Sequence, residues 1–427
     1  MTFHSNKHDD NPPSQWLTAS LLLVTGLVSI VLFSTNGTPD MDFYWLRWLE
    51  LGRTLQPVAA YATAQSDYPP LTMATLWLGG VLFAGITADP LIQIKLTLLL
   101  TLSISTAIYW RLSRNTLLTA FFLAAHVIGT IGLAYLDIFA GLWMVAAFLL
   151  LIRGIPEGFV VLFACALLTK WQPLVMMPVV VLYLLSQRDS LSQKNPRNFV
   201  ALLLLPAALL AIANWFDIHQ VLQAWLKIQR ANDGSFFNAY AFGLQGLVDA
   251  AVRISAMISA LQQPSEALAL QHLQAIEIVT RIGTGPWSSA RFWISQCLFW
   301  FFVLCTLVGF VRSKREVNDL LRCSVQMYVV YFLFRHGVHE NHLYIPGLLA
   351  LVLAARQRAY LHDAVMLNLL HNLNMVYYYS FDGRWPEDIW LHSPAAQALV
   401  LLLCGLCSLW LLLLWQRWLS TEPALRS

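Results

Sequence analysis

Charge is what this sequence has least of. Asp, Glu, Lys and Arg make up 11% of its 427 residues, where an ordinary soluble domain carries about 25%. Too few charges remain to cover a soluble protein of this size, and 26 basic against 23 acidic residues give a net charge of only +3. A soluble enzyme, a disordered chain and a nucleic-acid binder are excluded on that ground. Cysteine is scarce too. All six lie in apolar runs, and Cys404 and Cys407 form a CxxC in LLLCGLCSLW without a second ligand pair. They read as small hydrophobes, not as a metal site. The first fifteen residues, MTFHSNKHDDNPPSQ, lack a signal-peptide pattern, and no inverted internal repeat of the transporter kind is present.

What is abundant is apolar and aromatic. The chain is 58% hydrophobic, with 17 Trp, 14 Tyr and 23 Phe, and amphipathic rings settle at lipid–water interfaces. The expectation is an all-α, polytopic transmembrane bundle. Apolar runs occur at 16–35, 70–88, 91–110, 116–136, 138–152, 157–169, 172–186, 199–215, 292–311, 317–334, 343–355, 360–380 and 395–415. A weaker run at 237–262 carries Asp249 and Arg253 and is not taken as a span. If every strong run crossed, Arg111 and Arg114 would fall outside and Asp137 inside, against the positive-inside rule. If 70–88 instead dips in from the outside behind Tyr68-Pro69-Pro70, the phase is restored. Fifteen of the 26 Lys and Arg then lie inside, about twelve spans remain, and both termini are cytoplasmic.

The expected organisation follows. Residues 1–15 are a cytoplasmic tail, 16–215 a first membrane module with an outer loop at 36–69, 216–291 an outer-face region, 292–415 a second membrane module, and 416–427 a tail. The outer face also receives 381–394 and the turns at Asp137, at Lys170 to Pro173, and at Arg335 to His342.

Four polar groupings stand out. Asp40 and Asp42 follow the first span, and Asp67 and Tyr68 precede two prolines that bar a helix interior. Such carboxylates serve as a general base, a sugar-hydroxyl acceptor or a metal ligand, or simply cap helices. Lys170 in LLTKWQPLVMMP sits between short apolar runs, where it either contacts phosphate or snorkels beside Trp171. FRHGVHENHLYIP, residues 334–346, gathers Arg335, His336, His339, Glu340, Asn341, His342 and Tyr344. It is not an HExxH helix, so an anion or sugar site, or else a merely wet hairpin, is expected there ahead of zinc. Asn368, His371 and Asn372 share one helix face, as interhelical glue or as cavity lining.

In this order the motifs resemble the GT-C class of integral membrane glycosyltransferases, which use polyprenyl-phosphate-linked sugars. The likeness is to the dolichyl-phosphate-glucose glucosyltransferases and to bacterial GT-C enzymes. It runs over about 35–350: Asp42 with Arg47, then DYPPL at 67–71, AYLDIFAGL around Asp137, TKWQPLVMMP, GSFFNAYAFGL at 234–244, and VHENHLY. Tyr135 and Leu136 replace the family's usual GQ, and Ala241 replaces an Asn. The resemblance implies transfer of a hexose, such as glucose or mannose, from a polyprenyl-phosphate donor to a glycan, lipid or protein acceptor at the outer face. No metal or other cofactor is implied. Asp42 matches the catalytic carboxylate, with Asp40 as its rival. Lys170, Arg335 and His339 would meet the donor phosphate. Asp67, Tyr68, Asp137, Gln172, Glu340 and Asn341 would orient the acceptor or the loops. A bacterial inner membrane, with the site facing the periplasm, is the expected location. A lipid-linked-sugar flippase or other transporter and a non-catalytic membrane subunit are the competing expectations.

Overall fold

Proline and short polar caps set where the helices begin. The computed structural model describes residues 12–186, 196–234, 286–335, 338–380 and 394–420, with isolated positions between 244 and 255. In chain order α1 is Pro12–Phe33, α2 Leu46–Thr54, α3 Pro57–Ala64, α4 Pro70–Phe83, α5 Pro90–Ser113, α6 Thr116–Val127, α7 Asp137–Ile152, α8 Pro156–Leu167 and α9 Met177–Ser186. Then come α10 Pro196–Trp215, α11 Ile218–Gly234, α12 Pro286–Arg312, α13 Val317–Phe334, α14 Tyr344–Arg356, α15 Leu361–Tyr379 and α16 Pro394–Ser420. Proline opens α3, α4, α5 and α8, where its missing N–H is no loss. Asp89 caps α5 by accepting from the Leu91 and Ile92 amides, and Asn115 caps α6 through Leu118 N. Among the described residues there is no strand, as the sequence led us to expect.

Four described helices are long and apolar enough to cross a bilayer: Gln15–Phe33, Pro90–Ser113, Phe292–Arg312 and Ala398–Ser420. Phe199–Trp215 and Ile218–Lys227 make a fifth if taken as one span, bent by 99°. Large apolar side chains stay exposed along these helices, among them Ile30, Leu304 and Leu402. A bilayer, not water, suits such faces. At the centre, α14 buries eleven of its 13 positions and α7 ten of its 16.

One end of the bundle can be traced from its contacts. Buried Lys95, near the start of α5, donates to the carbonyls of Leu32 and Phe33 at 2.9 and 3.1 Å. It thereby satisfies the orphan carbonyls at the end of α1. Thr38 N donates to Leu133 O at 3.0 Å, and a Cβ added to Gly37, at φ +81°, would stand 3.2 Å from Ala134 Cβ. The start of α5, the end of α1 and the turn before α7 therefore share one end. α4 belongs to the same end at both of its termini. Leu71 N donates to Leu168 O at 2.8 Å, while Gly79 and Gly80 lie against Thr97 and Leu49. Its 14 residues reach about 21 Å, short of the roughly 30 Å of a hydrocarbon core.

Candidate functional site

Three turns and one loop converge at this end. The first turn follows α6, which closes in a π-turn, Ile128–Gly132, and leaves Ala134 at φ 51°. Such π-turns recur at functional sites, and a second one, Met41–Trp45, carries Asp42. The second turn holds Thr169 and Lys170 after α8, and a 3₁₀ turn, Gln172–Met176, follows it. The third is the 3₁₀ turn Glu340–Leu343 before α14.

Asp137 and Lys170 form a buried ion pair through Asp137 Oδ1. Asn341 Nδ2 reaches the same oxygen at 3.5 Å, a weak contact at the limit of a hydrogen bond. Two aromatic rings wall the ammonium: its Nζ is 5.8 Å from the Tyr68 centroid and 5.4 Å from that of Tyr135. Desolvating both charges costs several kcal/mol, roughly offset only when geometry and extra partners are good. Here the partners are incomplete. Asp137 Oδ2, Asn341 Oδ1 and both amide atoms of Gln172 are buried without a hydrogen-bond partner. In a native interior such atoms call for a role.

The sequence-predicted residues fall into three groups. Asp137, Lys170, Asn341 and Tyr68 are brought together. Asp67 is adjacent, since its carbonyl accepts from Trp171 Nε1 at 2.8 Å. Asp42 is exposed and Asp40 half-buried. Their π-turn is tied to the site wall by Trp45, whose ring meets Tyr135 edge-on at 5.4 Å. Arg335 turns toward α12, where Nη1 donates to Gln296 at 2.7 Å. His339 is exposed and stacks on His342 at 5.6 Å. Glu340 lies in the 3₁₀ turn, but its side chain, together with His336, the 235–243 stretch and the 381–393 segment, lies outside the described residues.

His342 Nδ1 accepts from His339 N at 2.6 Å. Burial, then the neighbouring His339 and Lys170 charges, push the His342 imidazole well below its usual pKa. It is therefore neutral at pH 7 and can keep accepting that bond.

Two parts of the site were missed in the sequence. Tyr135 was legible only as a departure from the family pattern. His126, in TAFFLAAHVIGT, was passed over, although an ionisable residue inside an apolar run is itself a signal. No group of three metal-ligating side chains occurs among the described residues. No protein-family model matches the chain, and no curated protein matches it.

Proposed function

We propose that the chain is a GT-C-like membrane glycosyltransferase that moves a hexose from a polyprenyl phosphate to an acceptor hydroxyl. The observation that carries this is the convergence of the 36–69 loop, the Asp137 turn, the Lys170 turn and the 339–343 turn on one end of the bundle. There a buried, half-satisfied ion pair shares one end of the bundle with exposed Asp42 and half-buried Asp40 and Asp67. In the proposed step the acceptor oxygen attacks the anomeric carbon. The C1–O bond to phosphate breaks, polyprenyl phosphate leaves, and Asp42 takes the acceptor proton. Attack from the face opposite the leaving group inverts the anomeric centre. The leaving group is already an anion, so it needs positive charge rather than an acid. Lys170 is shared with Asp137, so the pair is neutral overall. A phosphate would meet the Lys170 ammonium, with Arg335 and His339 at the flank. Asp67, Tyr68, Gln172, Glu340 and Asn341 would hold the acceptor or the loops.

The proposal carries a topology: about twelve crossings, α4 dipping in without crossing, and the site on the periplasmic side of a bacterial inner membrane. Both ends of α4 lying at one end of the bundle supports the dip. A Trp77→Cys variant should label from outside the cell, and labelling from the cytoplasm alone would overturn it. The decisive assay is transfer of labelled hexose from a polyprenyl-phosphate donor by the purified chain. A lipid-linked-sugar transporter is the second reading, favoured by buried polar groups deep in the bundle. It requires a polar path to the opposite end. Beneath His126, however, the packing is aromatic: Phe122 lies 4.5 Å from His126 and stacks on Tyr109 at 4.5 Å, all buried.

A further inference from the structure

α10 and α11 meet at a corner of 99°. α10 starts beside α8, where Arg197 Nε and Nη2 donate to the Glu157 carboxylate at 2.7 and 3.0 Å. Glu157 lies in the first turn of α8, at the end of the bundle opposite Asp137 and Lys170, because α7 runs away from that pair and α8 returns to it. α10 finishes at the Asp137–Lys170 end. There Phe216 meets Tyr61 of α3 edge-on at 6.1 Å, and Tyr61 Oη donates to Tyr68 O at 3.2 Å. The 20 residues of α10 reach about 30 Å, the thickness of a hydrocarbon core. The crossing is complete at Trp215, so α11 is not the second half of a broken span.

A near right-angle turn after a complete crossing lays α11 along the plane of the bilayer. Asp217, at φ 67°, makes the corner, and its Oδ1 accepts from His219 N at 3.0 Å. The faces of α11 suit that position. Val221 and Ala224 are buried against the bundle. Ile218, Leu222 and Leu226 form a row four residues apart beside that face, and Leu222 and Leu226 are 50% and 44% exposed. His219, Gln223 and Lys227 form the next row, which is polar and exposed. Lys227 Nζ donates to Gln65 O at 3.0 Å and ties α11 to the end of α3, close in sequence to Asp67 and Tyr68.

What covers the leucine row follows from α10. That helix carries exposed Phe199, Leu203 and Leu210 on its way to the corner, side chains that suit acyl chains. Trp215, 75% exposed, ends it where amphipathic rings settle among headgroups. A helix that leaves such a crossing at right angles, with an apolar row flanked by a polar one, has the build of a helix lying in the lipid interface.

We propose that α11 binds the lipid surface at the Asp137–Lys170 end of the bundle, with Leu222 and Leu226 among the acyl chains and His219 and Gln223 toward water. The partner is the bilayer itself, met by apolar area and not by one kind of headgroup. This holds whether or not the protein transfers a sugar. In the test, the full chain in nanodiscs of phosphatidylethanolamine and phosphatidylglycerol carries a nitroxide at Leu222→Cys, Leu226→Cys or Gln223→Cys. The signal from the parent chain's own cysteines is subtracted. Power-saturation EPR then compares collisions with oxygen and with a water-soluble nickel chelate. Nitroxides at 222 and 226 should lie roughly 5–10 Å inside the headgroup–acyl boundary, while the one at 223 should favour the nickel chelate. All three positions are exposed, so the Val221–Ala224 packing face stays intact in every variant. Nickel access at 222 and 226 equal to that at 223 would put the whole helix in water. Exclusion of both reagents at 222 and 226 would put protein over the leucines. Oxygen access at 223 as deep as at 222 would make α11 part of a span. Each of these three results overturns the proposal.

Discussion

Two buried aspartates at opposite ends of the bundle carry the same charge in the same apolar surroundings, yet they are built differently. Asp363, near the start of α15, is paired to Arg417, accepts from Trp418 Nε1 at 2.6 Å through its other oxygen, and has His362 at 3.4 Å. Arg322 holds the Trp418 carbonyl from the other side, and Gln326 Nε2 donates to Trp415 O at 3.0 Å. The far end of α15 meets the Asp137 end, with Tyr379 5.9 Å from Tyr135. At Asp137 one oxygen takes both Lys170 and Asn341, and the other has no partner. A carboxylate with both oxygens partnered clamps α16 to the bundle. A half-saturated one keeps capacity to bind something else.

The contrast can be broken by experiment. The largest effect is expected outside the buried pair: Asp42→Asn should lower hexose transfer by about 10²–10⁴ with the melting temperature unchanged. Transfer at near-parental rates would remove Asp42 as the base.

Next come the two buried sites, compared directly. Asp363→Asn should lower stability by about 1.5–3 kcal/mol, the worth of a charged hydrogen bond, yet keep the activity of each folded molecule. Asp137→Asn should cost at least about 10² in turnover, because it frees Lys170 from its orienting partner. Equal specific activity in the two variants would erase the distinction drawn here.

Smaller effects sharpen it. Lys170→Ala should weaken donor-lipid binding by about tenfold or more, on the scale of one charge-assisted hydrogen bond. Unchanged donor affinity would reassign Lys170 to structure alone. The smallest effect concerns pH. The folded pKa of His342 is depressed, so its contribution to the 339–343 turn is present above the unfolded value, about 6.5, and is lost as pH falls below it. Hydrogen exchange at the His339 amide should therefore speed up on acidification from pH 7.5 to about 5.5, beyond the intrinsic trend. Replacement of His342 by Gln should flatten that response.

Much of the frame was legible. DYPPL marked the start of α4, because proline restricts its own backbone and its neighbour's, whereas α2 and α3 inside the 36–69 loop were not foreseen. Asp137 and Lys170 were visible as charges interrupting apolar runs. That they neutralise each other was not, since 33 residues separate them and nothing local encodes the pairing. Arg335 looked like a partner of Lys170 on charge alone, but its turn aims it at Gln296. Asn368 and Asn372 read equally well as glue or lining. Packing against Gly347 and Ala125 made them glue.

Composition alone determined the solvent: with 11% charge and long apolar runs, the chain can satisfy its surface only in lipid. The order of charges along the chain determined which turns could share a face. Which polar atoms end up paired was decided only by tertiary structure, because a hydrogen bond is fixed by distances of tenths of an ångström between helices far apart in sequence. At Asp363 that geometry gives both oxygens a partner. At Asp137 it leaves one open.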